Sequence, residues 1–372
     1  MKFIHLSDLH IGKRVNEYSM LDDQKFILRL ILNIIDYEAP DAVFIAGDVY
    51  DKSVPSTEAV ELLDSFLYSL SKLSAEVFII SGNHDSAERL AFASRLIDSS
   101  GIHIAPVYTG ETAPYNVKGV NIYSLPFVKP ANVRRCFEHE EINSFTDAIR
   151  TAVEHMNVDI SQPNILITHQ FVTGSSRTES EDISVGGADN VDASVFEPFD
   201  YVALGHIHRP QNCGSKKIRY CGTPLKYSFS EAKDKKSVTV GELGADKSLS
   251  IREVELTPKR EMVELRGTYD ELVSKSFYEN TSYRNDYIRV TLTDEDDIPD
   301  ASAKLRTVYP YLMKLDYDNR RTRSGSQITA ANDVEKQPIE LFSDFYAAQN
   351  GSELSAEQKD FMQKIIEKVW EG

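Results

Sequence analysis

Cysteine is scarce in this sequence, and it has no hydrophobic run long enough for a membrane span. The 372 residues include three cysteines, Cys136, Cys213 and Cys221, without the paired spacing of a disulfide framework or a cysteine zinc site. The longest apolar run, residues 27–35, is interrupted by an arginine and an asparagine. At the N-terminus, Asp8 comes before any apolar stretch of signal-peptide length. We therefore expect a reduced, cytoplasmic protein without export or membrane anchoring.

Basic side chains are outnumbered by acidic ones. Lysine and arginine total 41 and aspartate and glutamate 58, which gives a formal net charge of -17. This balance is an objection to a nucleic-acid binder, because phosphate binding usually leaves a basic footprint. The composition is otherwise that of a globular protein, and the length suits two or three domains.

Apolar runs of strand length alternate with helical patterns in the first half of the chain. Five runs rich in Val, Ile, Leu and Phe are typical of strands buried on both faces. They cover residues 3–6, 42–46, 77–80, 165–168 and 201–204. Amphipathic helices are predicted over 21–38 and after Ser56. The alternation predicts a layered α/β fold, with central β-sheets flanked by helices.

The remainder of the chain predicts two smaller units. After shorter β-like pieces up to residue 254, strands at 262–266, 287–293 and 313–317 alternate with helices at 269–276 and 301–308. Ser355 begins a capping box, and the helix that follows carries Phe361, Ile365 and Val369 on one stripe. We expect a main domain over 1–257, a small α/β capping domain over 258–325 and a helical tail over 338–372.

Residues of the metal-ligand type follow directly after the five buried strands. These motifs are Asp8-Leu9-His10, Gly47-Asp48, Gly82-Asn83-His84-Asp85, His169 and Gly205-His206-Ile207-His208. Loops at the carboxyl ends of strands form the binding crevice of an α/β sheet, so the five motifs should meet at one place. A single such motif is weak, and its glycines alone could serve tight turns. Five motifs in order favour a metal site.

This set of ligands suggests phosphoester hydrolysis by two metal ions, with the carboxylate of Asp48 bridging them. Imidazole mixed with oxygen ligands favours manganese, iron or zinc over magnesium. His206 and His208 either point to the same side of an extended segment or, in a loop, serve adjacent ions. His84 is expected to face the substrate and to stabilise the phosphate or protonate the leaving oxygen, with Asp85 orienting it.

The ordered motifs resemble those of the calcineurin-like metallophosphoesterase superfamily over roughly residues 1–235. Longer stretches resemble the nuclease subunits of bacterial SbcCD complexes, relatives of the eukaryotic and archaeal double-strand-break repair nuclease, and the resemblance continues to about Asn319. These stretches are residues 5–13, 46–51, 175–181, 185–187, 203–211 and 220–231.

The resemblance implies a role for each motif residue. One ion would be held by Asp8, His10, Asp48 and His208, and the other by Asp48, Asn83, His169 and His206. His84 would be the catalytic histidine that faces the substrate. Asp51 stands where some members of the wider family have a histidine, and we leave it outside the catalytic set.

The resemblance also implies manganese-dependent cleavage of DNA in repair and recombination. The family acts as an exonuclease on duplex ends and as an endonuclease on single strands and hairpins, in a homodimer within a heterotetramer. An SbcC-type ATPase drives duplex processing, and since this chain has no P-loop motif, ATP must come with that partner. The tail stripe either binds the partner's coiled coil or packs on the chain's own core. Lys13, Arg14, Arg177 and Arg209 are either DNA phosphate contacts or solvated charges.

Three other functions compete with a nuclease. A cyclic-nucleotide phosphodiesterase would use the same ions, but the capping unit and the segment 220–231 argue against it. A phosphoprotein phosphatase would carry Asp-Arg-Gly after the second motif, which is missing. A scaffold would not need the full ligand set.

Acidic clusters at 138–141 and 294–297 lie outside the motif loops and can face away from DNA, so the acidity does not exclude a nuclease. Because the chain is acidic, the isolated chain is expected to bind duplex weakly and with strong salt sensitivity.

Overall fold

The computed structural model describes residues 1–92, 94–181, 189–296, 298–319, 338–350 and 353–370. The stretch 185–187 and the end of the expected capping domain, 320–325, lie outside the described residues, as does the side chain of Val369. Within the described residues, two six-stranded sheets form the centre of the molecule and a three-stranded sheet forms a separate unit.

The strands of the described residues are numbered in chain order. They are β1 (Lys2–Leu6), β2 (Arg14–Val15), β3 (Tyr18–Ser19), β4 (Ala42–Ala46), β5 (Glu76–Ile80), β6 (Ile102–Ala105), β7 (Tyr115–Val117), β8 (Val120–Leu125), β9 (Asn164–His169), β10 (Phe171–Val172), β11 (Asn190–Val191), β12 (Tyr201–Gly205), β13 (Gln211–Cys213), β14 (Ser215–Tyr220), β15 (Ser237–Leu243), β16 (Leu249–Glu255), β17 (Met262–Gly267), β18 (Tyr287–Leu292) and β19 (Leu312–Tyr317).

The helices of the described residues flank these sheets or form the tail. They are α1 (Leu21–Glu38), α2 (Thr57–Leu70), α3 (Ala87–Leu90), α4 (Ser94–Ile97), α5 (Pro130–Cys136), α6 (Phe145–Glu154), α7 (Tyr269–Val273), α8 (Lys275–Tyr278), α9 (Ala301–Val308), α10 (Pro338–Asn350) and α11 (Ala356–Trp370).

The two central sheets face each other across an apolar layer. The first has the order β16-β15-β1-β4-β5-β6 and the second β13-β14-β12-β9-β8-β7. Along β1, Phe3 points to the layer between the sheets, while Ile4 and Leu6 belong to the core under α1 and α2. This alternation follows from the two-residue period of a strand. The rings of Phe3 and Tyr201 lie 4.8 Å apart across the layer, so both sheet faces are buried as predicted.

The helices of the first sheet begin where the sequence predicts. Helix α1 has the predicted bounds, and its buried positions repeat at helical spacing. Helix α2 begins after Ser56, whose hydroxyl accepts a hydrogen bond from the Ala59 amide at 3.3 Å. The layered α/β prediction is therefore confirmed.

The unit after residue 258 has a parallel sheet in the order β17-β18-β19 with helices between its strands. The prediction of one helix over 269–276 is wrong, because the backbone becomes extended at Ser274 and separates α7 from α8. Arg260 and Tyr287 join this unit to α1. The Arg260 guanidinium donates to both oxygens of the buried Asp23 carboxylate, at 3.2 and 3.1 Å, and the Tyr287 hydroxyl donates to it at 2.7 Å.

The tail contains α10 and α11. The predicted capping box is present, since the Ser355 amide donates to Gln358 Oε1 at 2.9 Å and the Gln358 amide donates to Ser355 Oγ at 3.2 Å. Phe361 is 64% exposed and Ile365 39% exposed, so these two stripe residues do not pack on the described core. No helix in the described ranges has the length and apolarity needed to cross a membrane.

Candidate metal centre

The motif loops of both central sheets meet at one edge. Strands β1, β4 and β5 run parallel in the first sheet, and β9 and β12 run parallel in the second. The loops after β1 and β12 are joined by the amide of His206, which donates to Asp8 Oδ1 at 3.0 Å. Similarly, the amide of His84 donates to Asp48 Oδ1 at 3.0 Å. The expected convergence is present, but it draws on two sheets rather than one.

Four of the expected ligands have backbones in the left-handed region. The φ angle is 51° at Asp8, 44° at His10, 47° at Asp48 and 105° at His206. Such angles are unfavourable for residues with a Cβ, and they concentrate at functional sites where the surroundings enforce them. Here the backbone is held by interloop hydrogen bonds, including that from the His10 amide to the Asp48 carbonyl at 2.9 Å.

One cluster contains Asp8, His10 and His208. A ligand atom of each lies within 4.8 Å of the others, and all three residues are buried. The Nε2 atoms of His10 and His208 face each other at 3.0 Å. The same Nε2 of His10 lies 3.6 Å from Asp48 Oδ2.

A second cluster adjoins the first through Asp48. His169 Nε2 lies 3.3 Å from Asp48 Oδ2 and 3.0 Å from Asn83 Oδ1. The Asn83 oxygen is also 2.9 Å from His206 Nδ1. His206 and His208 therefore lie in different clusters. This arrangement matches the alternative in which the two histidines of a loop serve adjacent ions.

Burial keeps three of the four histidines neutral. It lowers the pKa of His206 to about 3 and holds those of His10 and His208 well below their ordinary value. Neutral imidazole is the form that binds metal. His169 differs, because the Asp48 carboxylate outweighs the opposing effect of burial and raises its pKa to about 9.

The pKa values of the two carboxylates, Asp8 and Asp48, are shifted in opposite directions. Burial raises the pKa of Asp8 to about 7, and the charge of Asp48 acts in the same direction. Burial also opposes ionisation of Asp48, but the neighbouring histidines, first His169, hold its pKa well below the usual range. The charge of His169 therefore does not outweigh burial and the Asp48 carboxylate at Asp8.

The donor set fits divalent cations. Imidazole nitrogens, carboxylate oxygens and one amide oxygen face a common space, and in the first cluster the Nε2 atoms of two neutral rings face each other. Two buried ring nitrogens, His10 Nδ1 and His206 Nε2, have no hydrogen-bond partner among the described residues. His169 Nδ1 donates to the Ala46 carbonyl at 2.8 Å, which directs its Nε2 into the centre.

His84 lies beside both clusters and is partly exposed. Its Nε2 is 3.9 Å from Asp48 Oδ2, and its Nδ1 is 3.1 Å from the carbonyl oxygen of Asp51. The role expected for Asp85 in orienting this ring stays a prediction. The Asp85 carboxylate accepts hydrogen bonds from the backbone amides of Val49, Tyr50 and Gly82 at 2.9 to 3.1 Å, so it fixes the loops after β4 and β5.

The basic residues suggested by the sequence are dispersed. Lys13 Nζ pairs with Asp51 at 2.8 Å, next to His10. The Arg177 guanidinium lies 3.7 Å over the ring of Phe171, which itself contacts the His206 ring, and pairs with Asp189 at 2.8 Å. Arg209 pairs with Asp234 at 2.9 Å, and the exposed Arg14 donates to the Glu17 carbonyl.

Sequence reasoning missed several residues near the centre. Asp51 was left aside, yet its carbonyl holds His84 and its carboxylate lies 3.7 Å from His10 Nδ1. Ser180, Glu231 and Lys236 form a buried polar group beside His208. The only signal for the last group was that Ser180 and Glu231 fall within stretches on which the family resemblance depends.

Comparisons with known proteins agree with this geometry. The profile of the calcineurin-like phosphoesterase family matches residues 1–210, and that of a type 5 capsule protein repressor C-terminal domain matches residues 258–350. The D component of the SbcCD nuclease of Staphylococcus epidermidis is 31% identical over 373 residues, which cover 98% of each chain.

Solved structures with a lower likeness include a dimetal phosphatase from Danio rerio and the protein TT1561 of Thermus thermophilus. The first is 13% identical, with 69% of this chain and 98% of that chain covered and a TM-score of 0.42. The second is 12% identical, with 68% and 98% covered and a TM-score of 0.40. The family assignment depends on the sequence matches.

Proposed function

This chain belongs to the calcineurin-like phosphoesterase family, and we propose that it is the nuclease subunit of an SbcCD-type complex, hydrolysing DNA phosphodiester bonds with two divalent metal ions. The observation that carries the proposal is the convergence of seven ligand side chains and His84 from five loops. The full-length likeness to a protein named as part of a nuclease supports DNA as the substrate class.

In this proposal the two clusters hold one ion each. Asp8, His10, Asp48 and His208 would bind the first, and Asp48, Asn83, His169 and His206 the second. The position of Asp48 Oδ2 near both His10 and His169 supports its role as the shared ligand. Manganese suits a mixed set of imidazole and oxygen donors.

The bound ions would supply Lewis-acid charge and an activated water for attack on phosphorus. The chain's own part is to arrange the ligands and to manage a proton. With its Nδ1 proton donated to the Asp51 carbonyl, His84 presents Nε2 toward Asp48 and the open side of the site. A proton on Nε2 can then stabilise a phosphate oxygen or pass to the leaving oxygen of the cleaved strand.

DNA would approach past Lys13, which lies beside His10 through Asp51, and past Arg177, which lies beside His206 through Phe171. Each is paired with a carboxylate, so a DNA phosphate competes with Asp51 or Asp189 for it. Arg14 and Arg209 are proposed as outer contacts. The shortage of free basic charge is consistent with weak, salt-sensitive binding by the isolated chain.

We assign the chain to a nuclease domain over 1–257, a capping domain over 258–325 and a tail over 338–372 that binds an SbcC-type ATPase, the source of ATP for duplex cleavage. The exposure of Phe361 and Ile365 supports the tail's role. Deleting 338–372, or replacing both residues with glutamate, should prevent co-purification of the ATPase. The exposed Lys359→Glu on the same helix is the matched control. Undiminished co-purification after the deletion removes this part of the proposal.

A homodimer within a heterotetramer is also proposed. An apolar groove between α2 and the α3–α4 segment exposes Tyr68 and Phe92, at 64 and 84%, and Leu96 of α4 is 78% exposed. Apolar patches of this kind mark protein contacts. Tyr68→Glu should give monomers in sedimentation experiments, whereas Tyr37→Glu, an exposed tyrosine at the end of α1, should not. A dimer that persists with Tyr68→Glu places the interface elsewhere.

The nuclease proposal is tested by supplying the purified chain with Mn²⁺ and comparing DNA hairpins, cyclic nucleotides and phosphopeptides as substrates. We expect hairpin cleavage, reduced about 100-fold or more by His84→Gln without loss of metal. His139→Gln, at an exposed histidine, should cleave normally. If the DNA stays intact while a small phosphodiester is hydrolysed, the nuclease proposal is wrong.

A further inference from the structure

Three charged side chains are buried beside His208 and are not among the expected ligands. Glu231 is fully buried, Lys236 is 3% exposed and Glu181 6% exposed. Burying charge is unfavourable unless the groups are paired and hydrogen-bonded. The partners of these three side chains therefore indicate why charge is buried beside His208.

The contacts form a chain that ends at the His208 ring. Ser180 Oγ lies 2.6 Å from His208 Nδ1 and 2.6 Å from Glu231 Oε1. The other carboxylate oxygen of Glu231 pairs with Lys236 Nζ at 2.5 Å. In this ion pair the Glu231 carboxylate accepts hydrogen bonds and donates none.

The single proton of the Ser180 hydroxyl must therefore point to Glu231. Ser180 Oγ is then an acceptor toward His208, so the ring carries its proton on Nδ1. Thr178 Oγ1, 2.8 Å from Ser180 Oγ, can donate to the remaining lone pair. In this tautomer His208 Nε2 carries a lone pair, and it is the atom that faces His10 in the first cluster.

The backbone of His208 is fixed by the same group. Its amide donates to Glu181 Oε1 at 2.6 Å. Its carbonyl accepts from Lys236 Nζ at 2.8 Å and from the Thr223 amide at 3.1 Å. Both the position and the proton of the ring are thus set from outside the cluster.

We propose that Ser180, held by the Glu231–Lys236 ion pair, is a positioning residue that fixes the Nδ1-protonated tautomer of His208 and thereby sets the affinity of the first metal site. This inference rests on the proposed function, since it concerns one of its two ions. Outer groups that orient a histidine ligand typically change metal affinity roughly 10- to 100-fold when removed. The second site, where His169 is oriented by the Ala46 carbonyl, has no contact with this group among the described residues.

The test is Mn²⁺ titration calorimetry on the full chain, with Ser180→Ala as the variant. We expect two sites in the unaltered protein and, in the variant, one site weakened about 10- to 100-fold with the other unchanged. The thermal midpoint of the metal-free variant should stay close to that of the unaltered chain. Ser65→Ala, at an exposed serine of α2 whose hydroxyl donates to the Glu61 carbonyl of the same helix, is the matched control and should bind both ions normally.

A second measurement reports the tautomer directly. In metal-free protein labelled with ¹⁵N-histidine, NMR should show His208 protonated on Nδ1, with the signals assigned by their loss in His208→Asn. Ser180→Ala should shift the ring toward a mixture of tautomers, an effect that loss of packing alone does not predict. The double variant Glu231→Gln/Lys236→Met, which leaves no unpaired charge, should do the same.

Two results overturn the inference. One is an unchanged tautomer and two unchanged Mn²⁺ affinities in Ser180→Ala. The other is equal weakening of both sites together with a lowered thermal midpoint, which indicates general loosening. If the unaltered chain binds no Mn²⁺, the proposed function fails, while the tautomer measurement still decides whether Ser180 positions His208.

Discussion

The Nε2 atoms of His10 and His208 lie 3.0 Å apart in the buried centre of the protein. At that separation two neutral rings share one proton in an N–H···N hydrogen bond, and burial disfavours a second proton on either ring. A metal ion that binds both nitrogens requires this proton to move to His10 Nδ1, which lies 3.7 Å from Asp51 Oδ1. Metal binding at this cluster is therefore linked to a change of tautomer in a ring that stays neutral.

Mn²⁺ affinity should fall as the pH is lowered from 8 to 6. The pKa of Asp8 is raised to about 7, chiefly by burial, so at pH 6 this carboxyl is mostly protonated in the metal-free protein and must ionise on binding. At pH 8 it is already ionised. Calorimetry in buffers of different ionisation enthalpy should detect more protons released at pH 6 than at pH 8. Equal release at both would contradict the shifted pKa of Asp8.

Asp48→Ala should abolish binding of both ions, because the Asp48 carboxylate lies near His10 in one cluster and near His169 in the other. The number of Mn²⁺ ions bound per chain, measured by calorimetry, gives the result. Asp22→Ala removes an exposed carboxylate at the start of α1 and should leave binding intact. Two ions still bound to Asp48→Ala would exclude a bridging role.

Gly205→Ala should destabilise the protein severely, because the two central sheets approach each other closely at this residue. A Cβ there would lie 1.8 Å from the Ala46 carbonyl oxygen and 2.6 Å from His169 Nδ1. We expect a loss of roughly 3 kcal/mol or more in the free energy of unfolding, measured in urea. At Gly267 the nearest atom is the end of the Glu271 side chain, at 3.0 Å, so Gly267→Ala should cost much less. A small loss of unfolding free energy in Gly205→Ala would indicate that the sheets can move apart at this point.

Arg260→Met should destabilise the protein by about 3 kcal/mol, because it leaves the buried carboxylate of Asp23 without its cation. Lys235→Met breaks the exposed pair with Glu255 and should have a much smaller effect. Urea unfolding measures both. A small change in Arg260→Met would mean that the Tyr287 hydroxyl alone satisfies Asp23.

His5 should make the protein less stable in mild acid. Burial, with the charge of Arg219 adding to it, lowers the pKa of His5 from 6.5 to about 3. Below pH 6.5 the unfolded chain therefore binds a proton that the folded protein does not, and stability is lost as the pH falls toward 3. Between pH 7 and pH 5 the free energy of unfolding should fall by about 2 kcal/mol because of His5.

Replacement of His5 by glutamine tests this directly. Glutamine retains a donor and an acceptor for Leu204 and Tyr201, but it does not titrate. The loss of unfolding free energy between pH 7 and pH 5 should be smaller in the variant by about that amount. In His139→Gln, at an exposed histidine, the pH dependence should match that of the unaltered protein. Parallel curves for His5→Gln and the unaltered protein would contradict the shifted pKa.

The sequence predicted the parts of the centre that local pattern determines. Buried strands are recognised as continuous apolar runs, and a ligand after each strand implies that the ligands converge. The proximity of Asp8, Asp48 and His206 could therefore be predicted. The break at Ser274 was not, because the helical spacing of apolar residues continues through it.

Side-chain partners set by tertiary structure were also beyond the sequence. The carboxylate of Asp85 accepts hydrogen bonds from three backbone amides in two loops, which no local pattern indicates. The partnership of Ser180 with Glu231 joins residues 51 positions apart, and no periodicity indicates it.

The neighbours of β1 have a consequence for synthesis on the ribosome. Ile4 pairs with Val43 of β4 on one side and with Val240 of β15 on the other. The first edge is covered early, but the second remains open until almost two thirds of the chain has emerged. During that interval an apolar strand edge is available to other nascent chains, a situation that favours aggregation. Chaperones that cover the N-terminal segment until β15 has been synthesised should therefore improve expression more than slower translation does.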